Sequence, residues 1–272
     1  MSAPAHVVRP FAGLPGEPDW VALREVVPSA SAPLTVRGHE DRDVRLSTVL
    51  PMAWPAMVRS DGRVLLGLQV PSRSGDPSRD LAATLELALA AAPGSSITST
   101  VLPGTGPRLQ DLLEPAPLAL TVHDGFDHWL EGVGADLAGE VGESMERANS
   151  SVIPTVRLSS VEAAYWCRMH ERAHVRWVLP EDEEPALDAL ARLAVDGGLG
   201  IGEDTRYVGS FRAYGLLVPV WDLPRDATAA DVEAPLAALR TRLDETLATP
   251  RDLQPAERRA RSGLLSRQLT LR

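Results

Sequence analysis

Two short stretches carry enough ligand and proton-transfer atoms to do chemistry. The first, His170-Glu171-Arg172-Ala173-His174, has the His-Glu-x-x-His spacing. On a helix that spacing sets two imidazoles on one face to hold zinc while the glutamate activates a water. A helix is locally admissible, because Ser159-x-x-Glu162 resembles a capping box and Val161, Tyr165, Met169 and Ala173 recur every four residues. Against it, Val175-Arg176-Trp177-Val178-Leu179 reads as strand. The second stretch is His123-Asp124-Gly125-Phe126-Asp127-His128-Trp129, in which His123, Asp127 and His128 could ligate a metal or work as an acid/base pair. It follows a strand-like run, where Asp and Gly commonly make a turn, so its first reading is structural. No metal or cofactor is assigned to either stretch.

What must position these residues is suggested by an internal similarity. Val44-Arg45-Leu46-Ser47-Thr48-Val49, with Trp54 five residues on, matches Val156-Arg157-Leu158-Ser159-Ser160-Val161 with Trp166. Gly104, Arg108, Leu113, Val122 and Asp124 align without a gap to Gly202, Arg206, Phe211, Val220 and Asp222. Two matches in the same order predict a duplicated unit and a pseudo-symmetric body. The alignment puts His170 to His174 opposite Asp61-Gly62, a tight-turn dipeptide between two strand-like runs. A hairpin turn cannot present both histidines as a helix face does, so the zinc motif is read as a turn. The paired Arg45/Arg157 and Arg108/Arg206 are read as structural partners of acids, and Asp124 and Asp222 as turn caps or partners of arginines.

The elements follow from periodicity and punctuation. A first helix runs from Asp19 to Pro28, on Trp20, Leu23 and Val27. Residues 52–58 and 64–70 form a hairpin. A helix capped by Asp76-Pro77 then carries Leu81, Leu85, Leu89 and Ala92. A Gly/Ser/Thr/Pro-rich surface loop spans residues 92–106, and residues 109–113 and 118–122 read as a strand pair. A helix on Leu137, Val141 and Met145 joins the halves. The second half gives a strand at 173–179, a helix on Leu187, Leu190, Ala191 and Ala194, strands at 207–211 and 216–221, and a last helix on Leu236, Leu239, Leu243 and Leu247. The expected fold is α+β, two tandem ββαββα repeats with helices packed on antiparallel sheet. The expected segments are an extended 1–16, a first repeat 17–133, a connecting helix 134–154, a second repeat 155–249 and an Arg-rich 250–272.

Composition removes whole classes of function. All 27 basic residues are arginine, which excludes a Schiff-base, Walker or kinase lysine. A net charge of -10 argues against general nucleic-acid binding. The single Cys167 forbids an internal disulfide and, with no apolar run long enough to span a bilayer and no signal-peptide pattern at the start, predicts a cytoplasmic protein without membrane contact. Residues 250–272 hold six arginines interspersed with Leu253, Leu264, Leu265 and Leu269, an amphipathic segment that docks on the body, with an anionic contact as the alternative. The six tryptophans are read as core fillers.

The chain also resembles an actinobacterial family of domains of unknown function often labelled preprotein translocase SecA-like. The resemblance is carried by Pro10-Phe11-Ala12-Gly13-Leu14-Pro15-Gly16-Glu17, Thr48-Val49-Leu50-Pro51-Met52-Ala53-Trp54-Pro55-Ala56 and Val218-Pro219-Val220-Trp221-Asp222-Leu223. Many relatives add an N-terminal Cys-rich zinc module; here nothing before Pro10 could hold zinc, and no Walker motif supports a motor. The resemblance implies no catalytic residues. It points to a non-enzymatic domain that binds a protein or peptide partner, in a setting of protein export or the ribosome. The alternative is a zinc-dependent hydrolase using His170, Glu171 and His174.

Overall fold

A computed structural model describes residues 6–100, 102–130 and 140–266, which form a mixed α+β structure with two antiparallel-rich sheets. The chain divides into two compact units, Met1–Ile153 and Pro154–Arg272. Residues 1–5, 101, 131–139 and 267–272 lie outside the description. They include Leu137 and Leu269 and parts of the expected 1–16, 134–154 and 250–272 segments.

The first unit begins with α1 (Glu17–Glu25), β1 (Ala30–Leu34), β2 (Val44–Ser47), β3 (Ala56–Val58), β4 (Val64–Gly67) and α2 (Pro77–Ala90). It continues with β5 (Ser96–Ile97), α3 (Leu109–Leu112), β6 (Thr121–Val122) and α4 (Glu140–Asn149). Its sheet has the order β5-β3-β4-β2-β1-β6, and β2 and β4 run parallel. Hairpin β3–β4 forms because Gly62 takes the left-handed conformation (φ 87°) at the turn. Proline at the first turn starts α2, whose Leu81 and Leu85 are fully buried. Asp76 does not cap that helix with its side chain; it pairs with Arg108 at 2.9 Å. Asp80, inside the helix, ties down the loop before it by accepting from Ser72 Oγ (2.6 Å) and the Arg73 amide (2.8 Å). Gln69 Nε2 donates to the Leu23 and Val27 carbonyls at 2.7 and 2.8 Å, stapling α1 to the chain after β4.

The second unit consists of β7 (Thr155–Arg157), β8 (Ala164–Met169), β9 (Arg172–Trp177), α5 (Glu183–Val195), β10 (Arg206–Ala213), β11 (Leu216–Leu223), α6 (Ala229–Ala248) and α7 (Pro255–Ser266). Its sheet is antiparallel throughout, in the order β10-β11-β9-β8-β7. One face packs on the helices through Val175, Trp177, Trp221, Leu187, Leu190, Leu236, Leu239 and Leu243. Each such side chain contributes roughly 1.5–3 kcal/mol of burial. Helix α6 begins at Ala229, where Asp231 accepts from both the amide and hydroxyl of Thr228 (2.8 and 2.7 Å). Helix α7 docks on α5: Leu264 is buried with the core, and Arg261 pairs with Asp188 at 2.7 Å and with Glu184. The expected docking of the Arg-rich segment thus has a physical basis, and Arg251 and Arg261 are engaged by acids of this chain.

Sequence reading and structure part elsewhere along the chain as well. Residues 109–113 are not a strand: the Asp111 carboxylate accepts the Arg108 amide at 2.8 Å and Ser78 Oγ accepts the Leu109 amide at 3.0 Å, which starts the short helix α3. The 92–106 loop is partly pinned, since β5 pairs with β3. Residues 51–53 form a 3-10 turn before the strand begins at Ala56. The second aligned segment falls on α3 and β6 in one unit and on β10 and β11 in the other. The units share a hairpin followed by a helix, β3–β4–α2 and β8–β9–α5, within different strand orders.

Candidate functional site

His170 to His174 lies in a β-hairpin. Strand β8 ends at Met169, His170 sits in the turn with φ 57°, and His174 is on β9. His174 Nδ1 meets Asp222 Oδ1 at 3.0 Å, and Arg206 reaches the other carboxylate oxygen at 2.6 Å. The register explains this row, because Arg206 opposes Asp222 on β11 and Asp222 opposes His174 on β9. Glu171 points to Arg225 at 3.0 Å. The three motif residues therefore engage different neighbours. Burial lowers the pKa of His174, with Asp222 opposing that shift.

The His123 to Trp129 stretch is built differently. Ser31 on β1 and Ser47 on β2 are cross-strand partners, and each hydroxyl meets one imidazole: Ser31 Oγ to His123 Nε2 at 2.8 Å, and Ser47 Oγ to His128 Nε2 at 3.1 Å. The rings stack with centroids 4.2 Å apart and planes 9° from parallel. A ring nitrogen's lone pair lies in its own plane, so two stacked imidazoles cannot aim at one ion. Asp127 is turned aside, both its oxygens accepting from Asn149 Nδ2 at 3.2 Å. Among the described residues no group of three or more His, Cys, Asp or Glu is arranged to hold a metal.

The hydroxyl proton of Ser47 goes to the Val49 carbonyl at 2.9 Å, which makes His128 the donor through Nε2 and assigns it the tautomer with Nδ1 bare. That Nδ1 is buried and has no hydrogen-bond partner. Burial first, then His123, pulls the His128 pKa down to about 4, with the Gly125 carbonyl and Asp127 favouring the charged form. Trp129 stacks on Phe126 at 4.4 Å and donates from Nε1 to the same Val49 carbonyl at 2.9 Å. Asn149 Oδ1 accepts the Phe126 amide at 2.7 Å.

The Val49 carbonyl is the root of the loop at residues 51–55. Met52 and Ala53 both adopt left-handed φ values, 56° and 52°, and Met52 is 83% exposed. The loop closes on Gly67, whose amide donates to the Pro55 carbonyl at 2.8 Å; a Cβ there would stand 2.8 Å from the Trp54 carbonyl oxygen. No reading of the sequence picked out Met52.

The fold and these sites define a mixed α+β chain of two compact units with a stacked-histidine cluster in the first and an ion-paired histidine in the second. The chain belongs to a family of unknown function (DUF5926), whose model matches residues 10–272. No curated protein and no solved structure matches it. No helix among the described residues is long and apolar enough to cross a membrane.

Proposed function

We propose that this chain is a non-enzymatic, cytoplasmic domain that presents the 51–55 loop to a protein partner. The observation that carries this reading is Met52, a flexible apolar side chain 83% exposed on a backbone held at φ 56°. Left-handed non-glycine residues cost about 1–3 kcal/mol each and persist only where the surroundings impose them. Here Gly67, the Ser47 and Trp129 donors on Val49, and Pro51 and Pro55 impose them. A loop ordered beforehand loses little entropy on binding, and a thioether adapts to irregular apolar clefts. The histidines favour the same reading, since their hydrogen bonds hold residues 123–128 on β1 and β2 and join β9 to β11. The resemblance to the SecA-labelled family directs the partner search to export and ribosome-associated proteins. The shared hairpin-and-helix of the two units supports an internal duplication as the chain's origin.

The test places a photo-crosslinking amino acid at Met52 in the full chain, with Val195, 46% exposed, as the control position. One discrete protein adduct is expected from position 52 and none from 195. Met52→Glu is expected to cut recovery of that protein by about tenfold or more without lowering the melting temperature. Equal adducts from both positions, or none, overturn the reading.

A further inference from the structure

We propose that the stacked His123–His128 pair is a proton-operated latch: neutral, it holds the Asp127–Leu130 turn on β1 and β2, and protonation of His128 releases that turn together with the Val49 carbonyl at the root of the 51–55 loop. Three features of the cluster converge on this. The two imidazoles are held in register by two hydroxyls that are themselves strand partners, Ser31 and Ser47. Their faces lie 4.2 Å apart, so a charge on one is set directly against the other. The buried, unpartnered atom is His128 Nδ1, the one nitrogen that an incoming proton would take.

The surroundings decide which way the latch moves. Of the ionisable groups acting on His128, His123 opposes its charge and Asp127 favours it, while the Asp127 oxygens already receive the Asn149 amide. Strands β1 and β2 offer only hydroxyls, the Val49 segment a carbonyl and α4 an amide, and the Gly125 carbonyl, which favours the charged ring, already accepts from Ser29 Oγ at 2.7 Å. A charged His128 therefore sits half-buried with a single anion to answer it, and leaving the sheet is its route to water. Trp129, one residue on, leaves with it and gives up its bond to Val49. The 51–55 loop then keeps one of the two donors on its root. The latch stands on this geometry alone; only its effect on partner binding rests on the function proposed above.

The latch is read on the isolated full chain carrying 5-fluorotryptophan, by fluorine NMR as pH falls through about 4. The Trp129 resonance, assigned with Trp129→Phe, is expected to shift with a midpoint near 4 while the buried Trp20, Trp177 and Trp221 stay at their folded positions. His128→Gln, whose amide keeps a donor for Ser47 but takes no proton, is expected to abolish the shift. His123→Gln, which removes the opposing neighbour, is expected to raise the midpoint, and it decides the matter if His128→Gln does not fold. Trp129 moving only together with the three buried tryptophans overturns the latch. So does a resonance that never moves, a His128→Gln protein that titrates like the parent, or an unshifted midpoint in His123→Gln. A failed partner search leaves each of these results intact.

Discussion

The two histidine pairs of this chain are made of the same side chain and are put to opposite uses. In the first unit His123 and His128 lie face to face, each hung from a serine of the sheet. In the second, His170 occupies a turn and His174 joins a row of charges across three strands. The second pair has the spacing that sequence readers prize, and the first has the environment that changes chemistry. Strand register made the difference. A period of two places His174 beside Asp222 and leaves His170 at the apex, whereas a 3-10 turn brings His128 back under His123.

That contrast can be broken from either side. The largest effect is expected from Gly125→Val: a Cβ on this buried residue would stand 2.7 Å from Asn149 Oδ1, the atom that accepts the Phe126 amide. Overpacking there should cost about 2 kcal/mol and disturb the first cluster alone, measurable as a lower melting temperature with an unchanged His174 titration.

Acid comes next. The pKa of His128 is lowered from 6.5 to about 4 in the folded chain, so the unfolded chain binds the extra proton between those values and stability falls as pH drops through the window. The loss should be on the order of 2 kcal/mol after allowance for partial solvent exposure, and His128→Gln should flatten it in denaturant titrations taken at both ends of the window.

On the other side, Asp222→Ala removes the partner of His174 and Arg206 and should cost about 1 kcal/mol. Because Asp222 supports the charged form of His174, the same variant should move the His174 proton-NMR titration to still lower pH. The smallest effect has the opposite sign. His170 is held at φ 57°, so His170→Gly should leave stability unchanged or raise it by about 0.5 kcal/mol, which a careful melt can resolve.

Local signals were legible in the sequence and remote ones were not. The Asp61-Gly62 hairpin, the leucine stripe of α2 and the strands β10 and β11 all stand where composition and periodicity put them. Strand β1 was invisible, because Ala30–Leu34 contains a proline and alternates weakly; it is a strand because β2 and β6 flank it. Helix α3 was misread because its start depends on Ser78, 31 residues away. The His-Glu-x-x-His motif was read as a turn, and the structure puts His170 at the turn of a hairpin with Arg172 to His174 on β9. The stacked pair escaped notice, since the serines that hold its rings lie 92 and 81 residues from them along the chain. The strained Met52 escaped too, because φ leaves no mark on composition.

The order of strands also carries a schedule. In the second unit β7, β8 and β9 follow one another as a meander whose neighbours meet across short turns. In the first, β1 must wait for β6, about ninety residues later, before that side of the sheet is paired. Closing a long loop spends entropy before any contact repays it, and folding rate falls as partners grow more distant in sequence. The second unit should therefore gain amide protection first in a pulse-labelling refolding experiment, with β1, β6 and the histidines docked on them among the last to be protected.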